Sequence, residues 1–193
     1  MPPGQRRAQL LRAGAALFSA RPYDDVLIEA IADEAGVSRG LMYRYFPTKR
    51  DLFRAIVTDA TERIQTLTDP DPALPMEERL TAGLDRFLEH FEDNVEFVRA
   101  VNYGSASADE EIQAILARSR RRQEDRIIEV LTEHGVTITP ALRVAARGWL
   151  LMTRNLALDW LETHEISRRE LRDLCARTGL QMLLGSSDLQ PGM

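Results

Sequence analysis

The chain has 193 residues, of which 44% are hydrophobic and 28% charged, enough apolar content for a packed core and ordinary for a globular protein. No stretch approaches the roughly 18 to 20 apolar residues of a membrane span, and the N-terminus has no apolar signal segment, so we expect a cytoplasmic protein without membrane contact. The single cysteine, Cys175, excludes an internal disulfide and fits a reducing compartment, where packing in a helix is its expected role.

The net charge of −5 is unevenly divided along the chain. Residues 1–55 carry nine Arg or Lys and six Asp or Glu, a balance of +3, whereas residues 56–193 carry sixteen and twenty-four, a balance of −8. A mildly basic head on an acidic body is typical of a protein that contacts phosphate with one end only.

Hydrophobic residues recur at helical spacing throughout, and no window shows the alternation of a strand. In chain order the sequence predicts helices over about 5–20, 27–35 and 38–46, a fourth from 48, a linker at 69–75, and helices over about 75–92, 95–103, 109–134, 140–164 and 168–184. Gly14 and Gly179 lie on apolar faces, where they would let another helix approach closely. We therefore expect an all-α fold of about nine helices.

Side chains suited to helix capping precede several of these segments. For the second helix, Asp25 is the nearest residue whose side chain could act as the cap. The other expected caps are Ser38, Thr48 with Asp51, Thr139 before Pro140, and Ser167 with Glu170.

Residues 27–49, LIEAIADEAGVSRGLMYRYFPTK, contain two short helices joined by a brief turn. Such helices pack at a steep angle, which requires a small residue at the crossing, a glycine in the turn and apolar residues inside. These requirements are met, at the spacing of a DNA-binding helix-turn-helix, by Ala32, Gly36, Val37 and Met42. The second helix then presents Arg39, Tyr43 and Arg44 outward, where arginine can contact guanine and tyrosine can reach phosphate or base edges.

Residues 5–56 resemble the DNA-binding domain of TetR-type regulators, most closely over the segments IA (31–32), AGVSRG (35–40), YRYF (43–46) and KRDL (49–52). The resemblance implies a three-helix domain at 1–56, with the helix-turn-helix at about 27–46. It also implies a larger helical bundle at 57–193 that binds a ligand and dimerises.

The resemblance carries DNA-binding roles onto eight positions. Ser38 and Lys49 would contact phosphate, Tyr45 would lie near the DNA backbone, and Arg39, Gly40, Tyr43 and Arg44 would face the major groove. Leu41 stands where the family usually has threonine; it could touch a thymine methyl instead. The alternative is that the aromatic residues merely pack, which is what we expect of Phe46.

In this family the last two helices pair with a second copy, which would place two recognition helices on the half-sites of a near-palindromic operator. The sequence is compatible, because residues 142–161 are apolar on nearly every side. The last helix is expected to have a buried face of its own, formed by Leu171, Leu174, Cys175, Leu180, Leu183 and Leu184. For a ligand cavity, the candidates are Phe87, Phe91, Phe97, Tyr103, Trp149, Met152 and Asn155, with ordinary core packing as the alternative for each. Asn155 needs a partner if it is buried.

Nothing in the sequence favours an enzyme. The three histidines lie far apart, and no phosphate loop, nucleophile motif or metal-ligand spacing is present, so we expect no catalytic residue, metal or cofactor. The arginine run between 118 and 126 is expected to be a solvated helix face, balanced by Glu124, Asp125 and Glu129. The sequence thus predicts a DNA-binding regulator, a repressor released by a small hydrophobic or amphipathic effector; activation, and a helical interaction protein without DNA contact, stay open.

Overall fold

A computed structural model describes residues 2–69 and 71–187, which form nine α-helices and two 3-10 helices and contain no strand. The α-helices are α1 Pro3–Ala20, α2 Ile28–Glu34, α3 Arg39–Tyr45, α4 Lys49–Leu67, α5 Met76–Asp93, α6 Val95–Asn102, α7 Glu110–Glu133, α8 Pro140–Thr163 and α9 Arg168–Ser187. The expected all-α fold is confirmed; Pro70 of the expected linker lies outside the described residues. None of the helices in the described ranges combines the length and apolar character of a membrane span.

Two 3-10 helices, Tyr23–Asp25 and Ser105–Ala108, were not predicted as helices. The first occupies the expected turn before α2, so Asp25 is not the cap of α2, which begins after Leu27 without any side-chain cap. The other expected caps are confirmed: Ser38 accepts a hydrogen bond from the Leu41 amide, Thr139 from the Leu142 amide, and Thr48 with Asp51 and Ser167 with Glu170 bond reciprocally.

The chain divides into two compact units, with boundaries inside α4, at the last residue of α5 and inside α7. The N-terminal unit comprises the residues up to Arg63 together with Asp93–Ala117; the C-terminal unit comprises Ile64–Glu92 and the residues from Arg118 onward. The N-terminal unit is larger than the predicted domain of residues 1–56, because α6 completes its core. The functional boundary at residue 56 stays a prediction.

Aromatic rings form the centre of the N-terminal core. Phe53 of α4 packs edge-on against Phe18 of α1, with ring centroids 4.8 Å apart, and lies 5.6 Å from the ring of Phe97 on α6. Gly14 lets α1 lie against α4: a Cβ atom there would be 2.7 Å from Ile56 Cδ1. The close approach expected at Gly14 is confirmed.

In the C-terminal unit, α8 and α9 pack against each other around Trp149. The indole Nε1 donates a hydrogen bond to the Cys175 carbonyl at 2.9 Å, and the ring lies directly over Gly179. The Cys175 side chain is buried, as expected, and this burial raises the pKa of its thiol. The last helix is therefore held to α8 by a contact that requires glycine on one side.

Gly179→Ala is expected to lower the free energy of unfolding by about 1 to 3 kcal/mol, the cost of overpacking a core. A Cβ atom at this position would lie 2.6 Å from Trp149 Nε1, and the rigid, buried indole cannot move aside as a flexible chain would. Gly185→Ala on the same helix is the control, because a Cβ there meets no atom within 4 Å. It should be neutral or stabilise by up to about 1 kcal/mol. Urea unfolding measures both; equal shifts would contradict the close approach at Gly179.

Candidate functional site

The segment around Gly36 folds as a helix-turn-helix. Gly36 has a φ of +62°, a left-handed conformation that suits glycine, and the amide of Val37 donates to the Ala32 carbonyl at 2.9 Å. Ile31 and Met42 are fully buried and join α2 to α3 from the inside. The turn and the buried contacts fix α3 so that its opposite face points to solvent within the N-terminal unit.

The outer face of α3 carries the side chains predicted to contact DNA. Arg39, Tyr43 and Arg44 are exposed, whereas Phe46 at the end of α3 is buried and packs, as expected. The remaining predicted positions divide between exposed (Ser38 and Gly40) and half-buried (Leu41, Tyr45 and Lys49). The recognition helix thus stands clear of the rest of its own unit.

Tyr43 is held in place by a neighbouring helix. Its hydroxyl donates a hydrogen bond to Glu29 Oε1 of α2 at 3.0 Å, and this bond raises the pKa of Tyr43. The Arg44 guanidinium lies 5.8 Å from the centre of the Tyr45 ring, within cation–π range. Both outward side chains therefore have a partner within the N-terminal unit.

Lys49 already has partners within the N-terminal unit. Its Nζ lies 4.3 Å from the centre of the Tyr23 ring and donates to the Asp24 carbonyl at 3.3 Å. Partial burial lowers the pKa of Lys49. The same side chain that is expected to contact phosphate therefore also ties the start of α4 to the preceding 3-10 helix.

A cluster of charged side chains around the buried Asp109 lies next to the first turns of α4. The side chain of Asp109 is 3% exposed; it accepts hydrogen bonds from Arg50 Nε and, at 2.9 Å, from Arg54 Nε. Asp109 also caps α7, because its Oδ1 accepts from the amides of Glu111 and Ile112. The Arg50 guanidinium holds the pKa of Asp109 well below its ordinary value. The sequence did not predict this cluster, because the residues around Asp109 show only that it precedes a helix.

The C-terminal unit contains a cavity of about 190 Å³. Its apolar wall is formed by Met76, Leu80, Leu84, Phe87, Ile127, Val130, Leu131, Trp149, Leu150, Leu180, Leu183 and Leu184. Four arginines and one aspartate also line it, namely Arg79, Arg120, Arg126, Arg154 and Asp69. An apolar cavity with a few polar groups is the usual form of a small-molecule site.

Of the seven residues predicted to line a cavity, only Phe87 and Trp149 do so here. The Phe91 ring packs against that of Phe87, tilted by 41° with ring centroids 4.3 Å apart, and Phe97 lies in the core of the other unit. Tyr103 is 66% exposed. Met152 and Asn155 lie off the lining because positions 149, 150, 153 and 154 form the cavity side of α8; Asn155 is exposed and needs no buried partner.

The lining residues that sequence reasoning missed are mostly aliphatic or basic. On α5 and α7 they recur at spacings of three and four, the signature of one helix face. A search restricted to aromatic residues leaves them out. Their spacing does not identify them either, because residues of an ordinary helical core recur at the same spacing.

The arginine run on α7 is only partly the solvated face that was expected. Arg118, Arg121 and Arg122 are exposed, but Arg120 lines the cavity, and Arg126 donates to the Gln65 carbonyl at 2.6 Å. Glu124 does not balance the run, because its carboxylate pairs with Arg147 of α8. The five arginines differ because successive positions of a helix face different directions, some toward solvent and some toward the interior of the unit.

Exposed apolar side chains lie along α8 and α9. Val144 and Leu151 on α8 are 65% and 41% exposed, and Leu174 and Leu184 on α9 are 40% and 41% exposed. Leu174 and Leu184 are therefore not buried in the described structure, contrary to the expected buried face of the last helix. Within the described ranges, no group of three or more His, Cys, Asp or Glu side chains is placed to hold a metal ion.

Comparison with known proteins identifies relatives of both the N-terminal segment and the whole fold. Residues 10–56 match the family described as "Bacterial regulatory proteins, tetR family". The chain is 24% identical to the HTH-type transcriptional activator FasR of Mycolicibacterium smegmatis over 169 residues, which cover 83% of this chain and 74% of FasR. It is 38% identical to the HTH-type transcriptional repressor KstR of the same species over 65 residues, covering 34% of this chain and 32% of KstR. A tetR-family transcriptional regulator from Streptomyces coelicolor superposes with a TM-score of 0.84 at 27% identity, over 96% of this chain and 83% of that one.

Proposed function

We infer that this chain, a member of the tetR family of transcriptional regulators, is a repressor that binds operator DNA and is released from it by a small amphipathic effector. The observation that carries the proposal is the exposed face of α3, where Arg39, Tyr43 and Arg44 project from a helix whose other face is locked into the core. Relatives named as an activator and as a repressor both exist, so the direction of control is the finer part of the proposal.

On DNA, α3 enters the major groove with Arg39, Gly40, Tyr43 and Arg44 facing the bases. Ser38 contacts phosphate from the start of the helix, Tyr45 lies near the DNA backbone, and Leu41 is placed to meet a thymine methyl. Lys49 reaches phosphate from the first turn of α4. Its present contacts with Tyr23 and Asp24 support the role by holding the ammonium group at the start of the helix.

The active form is a homodimer that pairs through α8 and α9. Val144, Leu151 and Leu174, which are exposed on these helices, support this pairing. A second copy packed against α8 and α9 would remove these apolar side chains from water. Two-fold symmetry then matches two recognition helices to the half-sites of a near-palindromic operator.

Release follows from binding in the cavity of the C-terminal unit. The effector favours a wider or skewed separation of the two recognition helices of the dimer. The change is transmitted through α4, which begins at Lys49 and is followed by Thr68 and Asp69, two residues that line the cavity. A difference of about 3 to 4 kcal/mol in effector affinity between the two states lowers DNA affinity by roughly 10²- to 10³-fold.

Binding of the purified protein to its own upstream DNA tests the proposal. We expect tight binding to that DNA over a scrambled duplex of equal length, with a steep fall in affinity as salt is raised from about 50 to 200 mM. Fluorescence anisotropy over a salt series measures both. Equal, weak affinity for the two duplexes with no salt dependence would instead identify a helical interaction protein and overturn the regulatory function.

A further inference from the structure

The lining of the cavity in the C-terminal unit contains more basic than acidic residues. Four arginines line it against one aspartate, Asp69, and most of the remaining wall is apolar. The arginines differ in what already neutralises them. Arg126 donates to the Gln65 carbonyl and lies 3.9 Å from Asp69, so that pair accounts for the aspartate.

Arg120 lines the cavity without an acid beside it. It is half-buried on α7, and no carboxylate among the described residues lies within 4 Å of its guanidinium. The charge nearest to it along the chain is another cation, Arg121, and burial lowers the pKa of Arg120. A guanidinium held partly out of water next to a like charge is stabilised by an anion.

Arg79 on α5 is a second basic residue of the cavity lining. Its Nε is buried without a hydrogen-bond partner in the described structure, although its Nη1 lies 3.9 Å from Glu133 Oε2. The residue is 8% exposed, so water does not readily satisfy this N–H. The wall therefore contains a second guanidinium, besides that of Arg120, whose hydrogen bonds are incomplete.

We propose that the effector is an amphipathic organic anion, whose carboxylate pairs with Arg120 while its hydrocarbon part lies against the leucine-rich wall. The cavity of about 190 Å³ exceeds the roughly 150 Å³ apolar cavity that holds benzene, so it admits a chain of about eight carbons. A neutral ligand would leave Arg120 unpaired, and a cation would be repelled. This inference rests on the proposed function, of which it specifies the ligand.

Three probes with one chain length and different head groups test the charge: octanoate, octan-1-ol and octylamine. Calorimetric titration into the full chain at neutral pH, without DNA, gives the affinities. Trp149 lines the cavity, so its fluorescence reports occupancy independently. We expect octanoate to bind at least 10-fold more tightly than octanol, and octylamine to bind more weakly than either. Equal binding of octanoate and octanol, or no binding of octanoate, overturns the proposal.

Arg120→Met tests the residue, since it keeps an unbranched apolar chain and removes the charge. It should weaken octanoate binding at least 10-fold and leave octanol binding unchanged. The control is Arg122→Met, which removes a charge from an exposed position on the same helix and should change neither affinity. Thermal unfolding of both variants confirms the fold. Unchanged octanoate affinity in Arg120→Met overturns the assignment. Because no DNA is present, these results are independent of whether the chain represses transcription.

Discussion

The double variant Arg39→Ala/Arg44→Ala is expected to lose specific operator binding while it keeps its fold. Each arginine contact to a base contributes about 1 to 3 kcal/mol, so removing both costs about 2 to 6 kcal/mol, or roughly 30-fold to 10⁴-fold in affinity. Neither guanidinium makes an ion pair within 4 Å in the described structure, so their removal leaves no buried charge behind. Fluorescence anisotropy with labelled upstream DNA at a fixed salt concentration measures the loss.

The matched control removes the same charge from another surface. Arg118 and Arg122 are exposed one turn apart on α7, and Arg118→Ala/Arg122→Ala should leave operator affinity within about 3-fold of the wild-type value. Melting temperatures of all three proteins should agree. If the control pair loses binding and the α3 pair does not, the nucleic-acid surface lies on α7 and the proposed role of α3 is wrong.

The helix-turn-helix and every expected cap except Asp25 could be predicted, because they depend on neighbours in sequence. Gly36 in its turn, Ser38 at the start of α3, and Thr48 with Asp51 each act within three or four residues, where chain geometry leaves few alternatives. The same holds for Gly14 and Gly179, whose small size on an apolar face already indicates a close approach, although the sequence does not name the partner helix.

The cavity could not be predicted, because its lining depends on which helices become neighbours and in what rotation. Phe97 has the aromatic character of a ligand contact, but it lies in the N-terminal core. Arg120 looks like part of a solvated run, but it lines the cavity. A rotation of one position on a helix, about 100°, separates lining Thr153 from Met152, and no local pattern fixes that rotation.

The cluster around Asp109 was missed for a related reason, since Asp109 is 59 and 55 residues from its partners Arg50 and Arg54. It also carries the second large prediction. Asp109→Asn should lower the free energy of unfolding by about 2 to 3 kcal/mol, less than for a fully buried pair because Arg50 is half-exposed and can reach water. Asp109→Ala should cost about 1 kcal/mol more, since it also removes the cap of α7, which asparagine can still provide.

Glu111 provides the control, because it pairs with the same Arg54, at 2.9 Å, but its side chain is 69% exposed. Glu111→Gln should therefore change stability by less than about 1 kcal/mol, as for other exposed pairs. Urea unfolding at neutral pH should show Asp109→Ala as the least stable variant, Asp109→Asn as intermediate and Glu111→Gln as the most stable. A loss at Glu111 as large as that at Asp109 would mean that burial does not decide the strength of these pairs.

Acidification gives the cluster a second signature. The pKa of Asp109 is lower in the folded protein than its ordinary value of 3.8, which the unfolded chain retains. Its stabilisation is therefore fully present above about pH 4 and is lost as the pH falls further, toward the folded pKa. The wild-type protein should lose stability over this acid range more steeply than Asp109→Asn, which has no proton to bind there. Parallel stability curves below pH 4 would show that the carboxylate is not held charged by Arg50 and Arg54, and the structural role assigned to the cluster would fail.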